Sequence, residues 1–228
     1  GYDQTWRQYL FDLTQVPTLG NLAGQRQVWI AFQFTSDSSV TYKGAFVDDV
    51  VLTKRVPALG DWVGIMSQDF DHFPSGQWNS IGDPAWDDNS SYNPHNPGSG
   101  YPRSAWCADG GSLGLDPATD TYTNSMNAWM IYGPFDLSDA DQSKLEFWYW
   151  LDSEPGYDWF SVLASTDGTH FYYGQTWSGH EQTWQQYSFD LTQVSGLGNL
   201  AGQSQVWVSF VFTSDSSFTY KGAFVDDI

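Results

Sequence analysis

The chain has 228 residues, and its 27 Asp and Glu residues against 8 Lys and Arg give a formal net charge of −19 at pH 7. This charge repels nucleic acid and anionic membranes, and no apolar run is long enough to insert in a bilayer, so we expect neither partner. The single cysteine, Cys107, excludes an intrachain disulfide and is expected to be a small buried residue. Aromatic residues make up 18% of the chain beside 22 Gly and 10 Pro, which favours strands joined by tight turns.

An internal repeat dominates the sequence. Residues 1–50 recur as residues 179–228, with 38 of the 50 aligned positions identical at a constant offset of 178. Because this period is far longer than the 20 to 50 residues of solenoid repeats, each unit should fold as an independent domain. We predict a C-terminal part of one repeat at 1–54, a linker at 55–60 and one nearly complete repeat at 61–228.

The chain thus holds one opening segment, at about 61–178, and two closing segments. Only one closing segment can complete the opening segment. We expect the other to pair with an upstream segment of a longer parent protein, or with a neighbouring molecule through exchange of closing segments as in domain swapping. The sequence leaves both alternatives open.

Several runs predict strands, in chain order Tyr9–Leu13, Gln27–Thr35, Ala45–Leu52, Ala128–Tyr132, Leu145–Leu151, Trp159–Ser165, His170–Gln175, Tyr187–Leu191, Gln205–Thr213 and Ala223–Ile228. Both faces of 206–212 are largely apolar, which predicts a central strand. Turn signals such as Gly133-Pro134 separate the runs, and we expect Gly82–Pro102 to be a long ordered loop. Many short strands separated by such turn signals predict an all-β, two-sheet antiparallel sandwich.

The chain shows a family resemblance in five segments that occur in order. They are Arg103–Ala108, Met130–Ser138, Phe147–Asp158, Ala164–Gly168 and Gly222–Ile228. It resembles the MAM-like jelly-roll domains found beside immune inhibitor A and subtilisin-type peptidases in secreted bacterial proteins. The resemblance covers about 61–228, and 1–54 matches its last third. It implies a jelly roll used as a non-catalytic, secreted or surface-attached appendage, often close to calcium.

The acidic residues suggest a calcium site, because 24 of the 27 are Asp, which offers short, rigid oxygen ligands to hard cations. The hypothesis places calcium between the loop of Glu154 and Asp158 and the closing Asp pair, with a contribution from the opening strand. The expected ligands are Asp69, Glu154, Asp158, Asp226 and Asp227, with Asp48 and Asp49 as the equivalent pair of the preceding unit. Adjacent Asp residues in a strand point to opposite faces, so one of each pair should face the site. The alternative is that these are solvated turn residues.

Catalysis is not expected. The four His residues lie in turn-like contexts, and the chain has neither a Gly-x-Ser-x-Gly elbow nor a His-Glu-x-x-His pair. We therefore predict a structural or adhesive repeat of an extracellular bacterial surface stalk, fibre or adhesin, stabilised by calcium. Its expected partners are other copies of the repeat or neighbouring subunits.

The leading alternative is a carbohydrate-binding module on a secreted hydrolase, because the chain has more Trp than one core needs. The rings expected to stack on sugars are Trp78, Trp86, Trp177 and Trp184, which lie near Gly, Ser and Gln in the sequence. The competing interpretation is that these rings cover the ends of the sandwich.

Overall fold

The computed structural model describes residues 10–23, 25, 28–34, 62–70, 73–74, 76–90 and 103–228. The chain divides into two compact units, Gly1–Val63 and Gly64–Ile228. Among the described residues, ten strands form, all in the second unit. They are β1 (Trp78–Ile81), β2 (Ala85–Asn89), β3 (Ser104–Gly110), β4 (Asn127–Phe135), β5 (Lys144–Asp152), β6 (Trp159–Ser165), β7 (Tyr172–Trp177), β8 (His180–Asp190), β9 (Val206–Thr213) and β10 (Gly222–Asp226).

The strands make two antiparallel sheets of five. The first sheet has the order β1-β4-β9-β6-β7 and the second has the order β2-β3-β10-β5-β8. From β3 to β10 the chain places four strands in each sheet in the order of a jelly roll built from two Greek keys. The predicted all-β jelly-roll sandwich is therefore confirmed. In the described part of the chain, no helix is long and apolar enough to cross a membrane.

The closing segment supplies the central strand of both sheets. Strand β9 is hydrogen-bonded to β4 on one side and to β6 on the other, and β10 lies in the same way between β3 and β5. The prediction that 206–212 forms a central strand is confirmed. Removing β9 and β10 would leave four two-stranded ribbons, which are marginally stable in water.

Aromatic rings fill the space between the sheets. Phe210 of β9 meets Phe147 of β5 edge to face, with ring centroids 4.8 Å apart, and stacks at 6.3 Å on Phe160 of β6. Phe224 of β10 stacks on Trp106 of β3 at 5.9 Å. Each closing strand thus places a fully buried ring against the opening segment.

The structure corrects two expectations about local structure. The predicted loop Gly82–Pro102 contains strand β2, whose pairing with β3 overrides the low strand propensity of its Asp and Asn residues. Gly133-Pro134 is not a turn, because β4 continues through it with a register shift against β9 between Tyr132 and Phe135. Such a bulge is one of the few places where a sheet accepts proline.

The described residues of the first unit form the same turn as their counterparts. The backbone bridge between Val16 and Gly20 repeats between Val194 and Gly198, with an N to O distance of 2.9 Å in both. Burial differs, because Phe32 is 66% exposed whereas its counterpart Phe210 is 0% exposed. The local sequence therefore forms the turn in both units, whereas residues 28–34, which lie within the predicted strand Gln27–Thr35, form no strand.

We predict that Phe147→Ala lowers the free energy of unfolding by about 3 to 5 kcal/mol, because it removes a fully buried ring from the contact with Phe210. Chemical denaturation followed by tryptophan fluorescence measures the change. Tyr173→Ala, which removes a ring that is 63% exposed, is the matched control and should stay within about 0.5 kcal/mol of the parent. Equal losses in the two variants would contradict this description of the core.

Candidate metal centre

Three carboxylates converge at one end of the sandwich. Glu154, Asp158 and Asp215 each offer an oxygen, and these oxygens all lie within 4.8 Å of one another. Glu154 and Asp158 belong to the loop between β5 and β6, in the opening segment. Asp215 lies between β9 and β10, in the closing segment. The cluster therefore spans the seam between the two segments.

Backbone hydrogen bonds hold the loop that carries Glu154 and Asp158. The carbonyl oxygen of Glu154 accepts hydrogen bonds from the Tyr157 and Asp158 amides at 3.2 and 3.1 Å. It also accepts the Ser178 hydroxyl at 3.0 Å, and Ser178 Oγ in turn accepts the Gly156 amide at 2.7 Å. Gly156 has a φ of +80°, a left-handed conformation that suits glycine. The two carboxylates are thus placed by a fixed turn.

Asp158 is fully buried and joins the two segments directly. Its Oδ1 accepts the backbone amide of Asp215 at 2.7 Å, and its Oδ2 accepts the hydroxyl of Tyr122. Burial, together with this hydrogen bond to a carboxylate, raises the pKa of Tyr122 above its usual value. Tyr122 is therefore a neutral donor at physiological pH, and its oxygen accepts the Glu154 amide at 3.2 Å.

Ser217 of the closing segment completes the contact across the seam. Asp215 Oδ1 accepts the Ser217 amide at 2.7 Å. The Ser217 hydroxyl oxygen lies 3.0 Å from Asp215 Oδ1 and 3.1 Å from Glu154 Oε2. Its single proton can serve only one of these oxygens at a time, so at least one carboxylate oxygen keeps lone pairs available for another ligand.

The charges of the cluster are not balanced by a cationic side chain. Among the described residues, no Lys, Arg or His forms an ion pair with Glu154, Asp158 or Asp215. Two carboxylates at this separation repel by roughly 4 kcal/mol at an effective dielectric of 20. A divalent cation would reverse that sign. Hard oxygen donors from three carboxylates and a hydroxyl suit Ca²⁺, which takes six to eight oxygens including water.

The structure corrects the expected ligand set, since Asp226 does not join Glu154. Strand β10 runs antiparallel to β5, so Gly222 at its start lies opposite Asp152 and Asp226 at its end lies opposite Trp148. The loop of Glu154 follows Asp152 and therefore meets the residues before β10. That is where Asp215 lies.

Asp69 and Asp227 lie together, but away from the cluster. The backbones of Gln68 and Ile228 are hydrogen-bonded in both directions, at 2.9 and 3.0 Å, which places Asp69 beside Asp227 at the end of β10. Both line one pocket with Ser67. Asp48 and Asp49 lie outside the described residues.

The tryptophans expected to stack on sugars are directed to the core. Trp78 and Trp86 are buried, and the Trp86 indole N–H donates to the Ala128 carbonyl at 3.1 Å. Trp177 stacks on Phe160 with ring centroids 5.3 Å apart, and Trp184 is half-buried against the same core. Their ring faces are therefore not a sugar-binding surface, because the strand register turns them inward.

The outward face of the first sheet is uncharged. Side chains alternate between the two faces along its strands, so the described residues between the core positions point outward. They are Asn79, Ile81, Asn127, Trp129, Ile131, Trp159, Ser161, Leu163, Ser165, Tyr173, Thr176, Trp207, Ser209, Val211 and Thr213. None is acidic or basic, although the chain carries a charge of −19. Five of them, Ser161, Leu163, Ser165, Ser209 and Val211, are nevertheless buried, so only the others can contact a ligand.

No protein-family model matches the chain, and no curated protein matches it. The resemblance to MAM-like domains therefore stays a prediction.

Solved structures of similar fold include a cleaved adhesin domain of Lys-gingipain from Porphyromonas gingivalis, with 19% identity and a TM-score of 0.46 over 71% of this chain and 94% of that one. A family 11 carbohydrate-binding module from Clostridium thermocellum, in complex with a mixed-linked tetrasaccharide, has 12% identity and a TM-score of 0.39 over 71% and 92%. The C-terminal family 22 carbohydrate-binding module of Clostridium thermocellum Xyn10B has 9% identity and a TM-score of 0.39 over 70% and 88%. Identities and scores this low support no inference about ligands of this chain.

We predict that Tyr122→Phe, measured in excess chelator, lowers the free energy of unfolding by about 1 to 3 kcal/mol, because the buried Asp158 carboxylate loses the hydroxyl that donates to it while the charges of the cluster stay the same. Denaturant titration measures the change. Asp141→Ala, at an exposed Asp, is the control and should change the free energy by less than about 0.5 kcal/mol. A neutral Tyr122→Phe would show that the hydrogen bond from Tyr122 to Asp158 does not stabilise this end of the sandwich.

Proposed function

We propose that the chain is a non-catalytic jelly-roll repeat of an extracellular bacterial surface stalk, fibre or adhesin, and that calcium stabilises it. The observation that carries the proposal is the convergence of Glu154, Asp158 and Asp215 from opposite sides of the seam, without a cationic side chain among the described residues to balance them. A cation bound there would tie the closing segment to the opening segment. Binding would then stabilise the folded domain directly.

The position of the cluster suits a calcium-rich setting. Asp158 is buried while Glu154 and Asp215 remain partly exposed, so a cation could enter from solvent and keep part of its water. Calcium sites of extracellular modules bind with dissociation constants of about 10⁻⁴ to 10⁻³ M, which the millimolar calcium outside cells can fill. This supports an extracellular repeat.

Repetition supports a structural or adhesive role. Near-identical closing segments indicate repeats of one module, and repeated modules add reach and multivalency without new chemistry. The two described histidines contact Asp residues at a turn and at a strand end. His170 Nδ1 lies 2.8 Å from Asp167 and His180 Nδ1 lies 2.6 Å from Asp152. We therefore assign no catalytic role.

A second candidate function is glycan binding by the uncharged outward face of the first sheet. Trp159 and Tyr173 are 39% and 63% exposed there, and Trp129 meets Phe171 edge to face at 5.6 Å. Aromatic faces can stack on the apolar C–H faces of sugar rings, while Asn79, Asn127 and Thr213 of the same face can bond to hydroxyls. This surface replaces the four tryptophans expected from the sequence.

We predict that 10 mM Ca²⁺ raises the melting temperature of the chelated chain by about 3 to 10 °C, whereas Mg²⁺ gives a smaller shift. This range follows from about 1.4 to 2.7 kcal/mol of binding energy at 10 to 100 times the dissociation constant. Differential scanning calorimetry measures the shift. Asp215→Asn should abolish it, and Glu181→Gln, an exposed acid away from the cluster, should leave it intact. A shift that survives Asp215→Asn would place the cation elsewhere, and no shift in the parent would refute the proposal.

Glycan binding has its own expected result. On native gels containing a neutral polysaccharide, Tyr173→Ala should remove any retardation of the parent without changing its melting temperature, because the ring is exposed. Trp184→Ala removes a ring that packs against the core. It should lower the melting temperature, whereas its folded fraction should be retarded as strongly as the parent. The absence of retardation across a panel of neutral polysaccharides would exclude this second function.

A further inference from the structure

The outward face of the first sheet is covered at one end and open at the other. Strand β6 begins at Trp159 and ends at Ser165, and the turn that follows folds back over the sheet. The ring of Phe171, after this turn, meets the ring of Trp129 at 5.6 Å, although β6 and β9 lie between β7 and β4. Ser165 is therefore buried under the turn, whereas Trp159 is 39% exposed at the open end.

The raised turn limits what can bind to this face. Gly168 of the turn approaches the Trp207 ring of β9 so closely that an added Cβ would lie 3.0 Å from it. A second sheet packs face to face at about 10 Å and needs a surface of even height. A turn that stands above the sheet prevents that approach. The open end can therefore admit a small ligand but not the sheet of a second copy.

Four side chains form a site at the open end, which we call the aromatic cradle. The register places Asn127 of β4 opposite Thr213 of β9, and Thr213 opposite Trp159 of β6. Trp129 follows Asn127 by two residues on the same strand, so its side chain lies on the same face. The cradle thus has an indole on each side, with a hydroxyl and an amide between them.

A hydrogen bond fixes the amide of the cradle. The indole N–H of Trp129 donates to Asn127 Oδ1 at 2.7 Å. Because this oxygen is occupied, the Nδ2 group of Asn127 offers its two N–H donors to a ligand. Thr213 adds a hydroxyl that can donate or accept. Fixed N–H donors suit the hydroxyl oxygens of a sugar, and they oppose a cation that would otherwise bind to the indole faces.

The spacing of the strands limits the size of the ligand. Strand β9 separates β4 from β6, so the strands that carry Trp129 and Trp159 are roughly 10 Å apart. A ring that contacts an aromatic face on each side needs roughly 7 to 8 Å between those faces. One pyranose ring therefore fits between the two indoles. An α-helix, with a diameter of roughly 10 to 12 Å, does not.

The charges next to the cradle oppose an acidic ligand. Asp158 immediately precedes Trp159, and Asp215 follows Thr213 by two residues. Both belong to the three-carboxylate cluster, which retains a net negative charge even when a divalent cation is bound. No residue of the cradle is charged. A uronic acid or a sulfated sugar would therefore be repelled, whereas a neutral sugar would not.

We infer that the aromatic cradle binds one neutral pyranose ring, stacked between Trp129 and Trp159, with its hydroxyls bonded to Asn127 and Thr213. The inference rests on the second candidate function, glycan binding. It adds the residues that hold the sugar and the class of sugar that they accept.

Tyr173 is too far from the cradle to contact the same sugar ring. It lies on β7 opposite Leu163, four residues along β6 from Trp159, which is a separation of roughly 14 Å. A polysaccharide that reaches both rings therefore covers several sugar units. A monosaccharide contacts the cradle alone.

Saturation-transfer NMR of the full chain with glucose, galactose and mannose tests the cradle. The parent should bind at least one of these hexoses, and Trp159→Ala should weaken binding by about tenfold or more, because one stacking surface is lost. Trp159→Phe, which keeps an aromatic ring, should restore most of the affinity. Tyr173→Ala should leave hexose binding unchanged. Phe218→Ala is the control, since it removes a ring that is 70% exposed outside the first sheet.

Asn127→Asp separates a sugar from a cationic ligand, with choline as the second probe. The carboxylate still accepts the Trp129 indole N–H but has no N–H to donate, so hexose affinity should fall. Choline should not bind to the parent. If choline binds to the parent, and binds more tightly to Asn127→Asp, the cradle is a cation site and the inference is overturned.

Native gels with neutral polysaccharides separate failure of the inference from failure of glycan binding itself. Retardation of the parent should be lost in Trp159→Ala, and polygalacturonate, an acidic polymer, should not retard the parent. If a neutral polysaccharide retards the parent and Trp159→Ala equally, or if a retarded parent binds none of the three hexoses, the cradle is not the sugar site and only the inference fails. Absence of both retardation and hexose binding would refute the second candidate function as well.

Discussion

Insertion of the closing segment into the middle of both sheets is the constraint on which the rest of this structure depends. Strand β9 joins β4 to β6, and β10 joins β3 to β5. Each strand brings its own backbone hydrogen bonds and a buried ring, Phe210 or Phe224, to the core. Closure also adds the edge strand β8, but it is chiefly the insertion of the two central strands. It is the step that converts separate ribbons into two sheets with one core, so the domain should fold in a single cooperative transition.

The same insertion creates the electrostatic problem that a cation would solve. Closing the sandwich brings Asp215 to Glu154 and Asp158, and Asp158 is fully buried there. Hydrogen bonds from Tyr122 and from the Asp215 amide offset part of the cost of burial, but they leave three negative charges within one small volume. A cation bound at this cluster would couple its binding to closure, because the three carboxylates meet only in the closed domain.

Much of this architecture could be predicted from the sequence, and the failures have identifiable causes. The apolar faces of 206–212 indicated a central strand because only a strand covered on both sides has that pattern. Glu154 and Asp158 were predicted to lie together because they share one short loop, and both belong to the acidic cluster. Asp215 was not predicted. It lies beside Glu154 and Asp158 because β10 runs antiparallel to β5, and amino-acid composition does not encode the direction of a strand. Its sequence signal was the segment 214–217, which recurs unchanged as 36–39.

The surface could be predicted less well than the core, for a related reason. Trp86 lies among Asp and Asn residues that are typical of a loop, yet strand pairing turns its ring into the core. Conversely, the uncharged face of the first sheet is assembled from residues such as Trp129 and Tyr173, which are far apart in the sequence and share a surface only through the register. Local patterns identify strands, whereas the set of side chains on one face requires the pairing of strands.

Native-state hydrogen exchange of the chain, with and without calcium, tests most directly whether closure and the cation belong to one event. Coupling of closure to cation binding predicts that β4, β6 and β9 exchange with one common free energy of opening, and that calcium raises this free energy by the same amount in all three strands. It would be contradicted if calcium slowed exchange only in the loops 153–158 and 214–217. In that case a cation would bind at the surface without locking the closing segment into the sandwich.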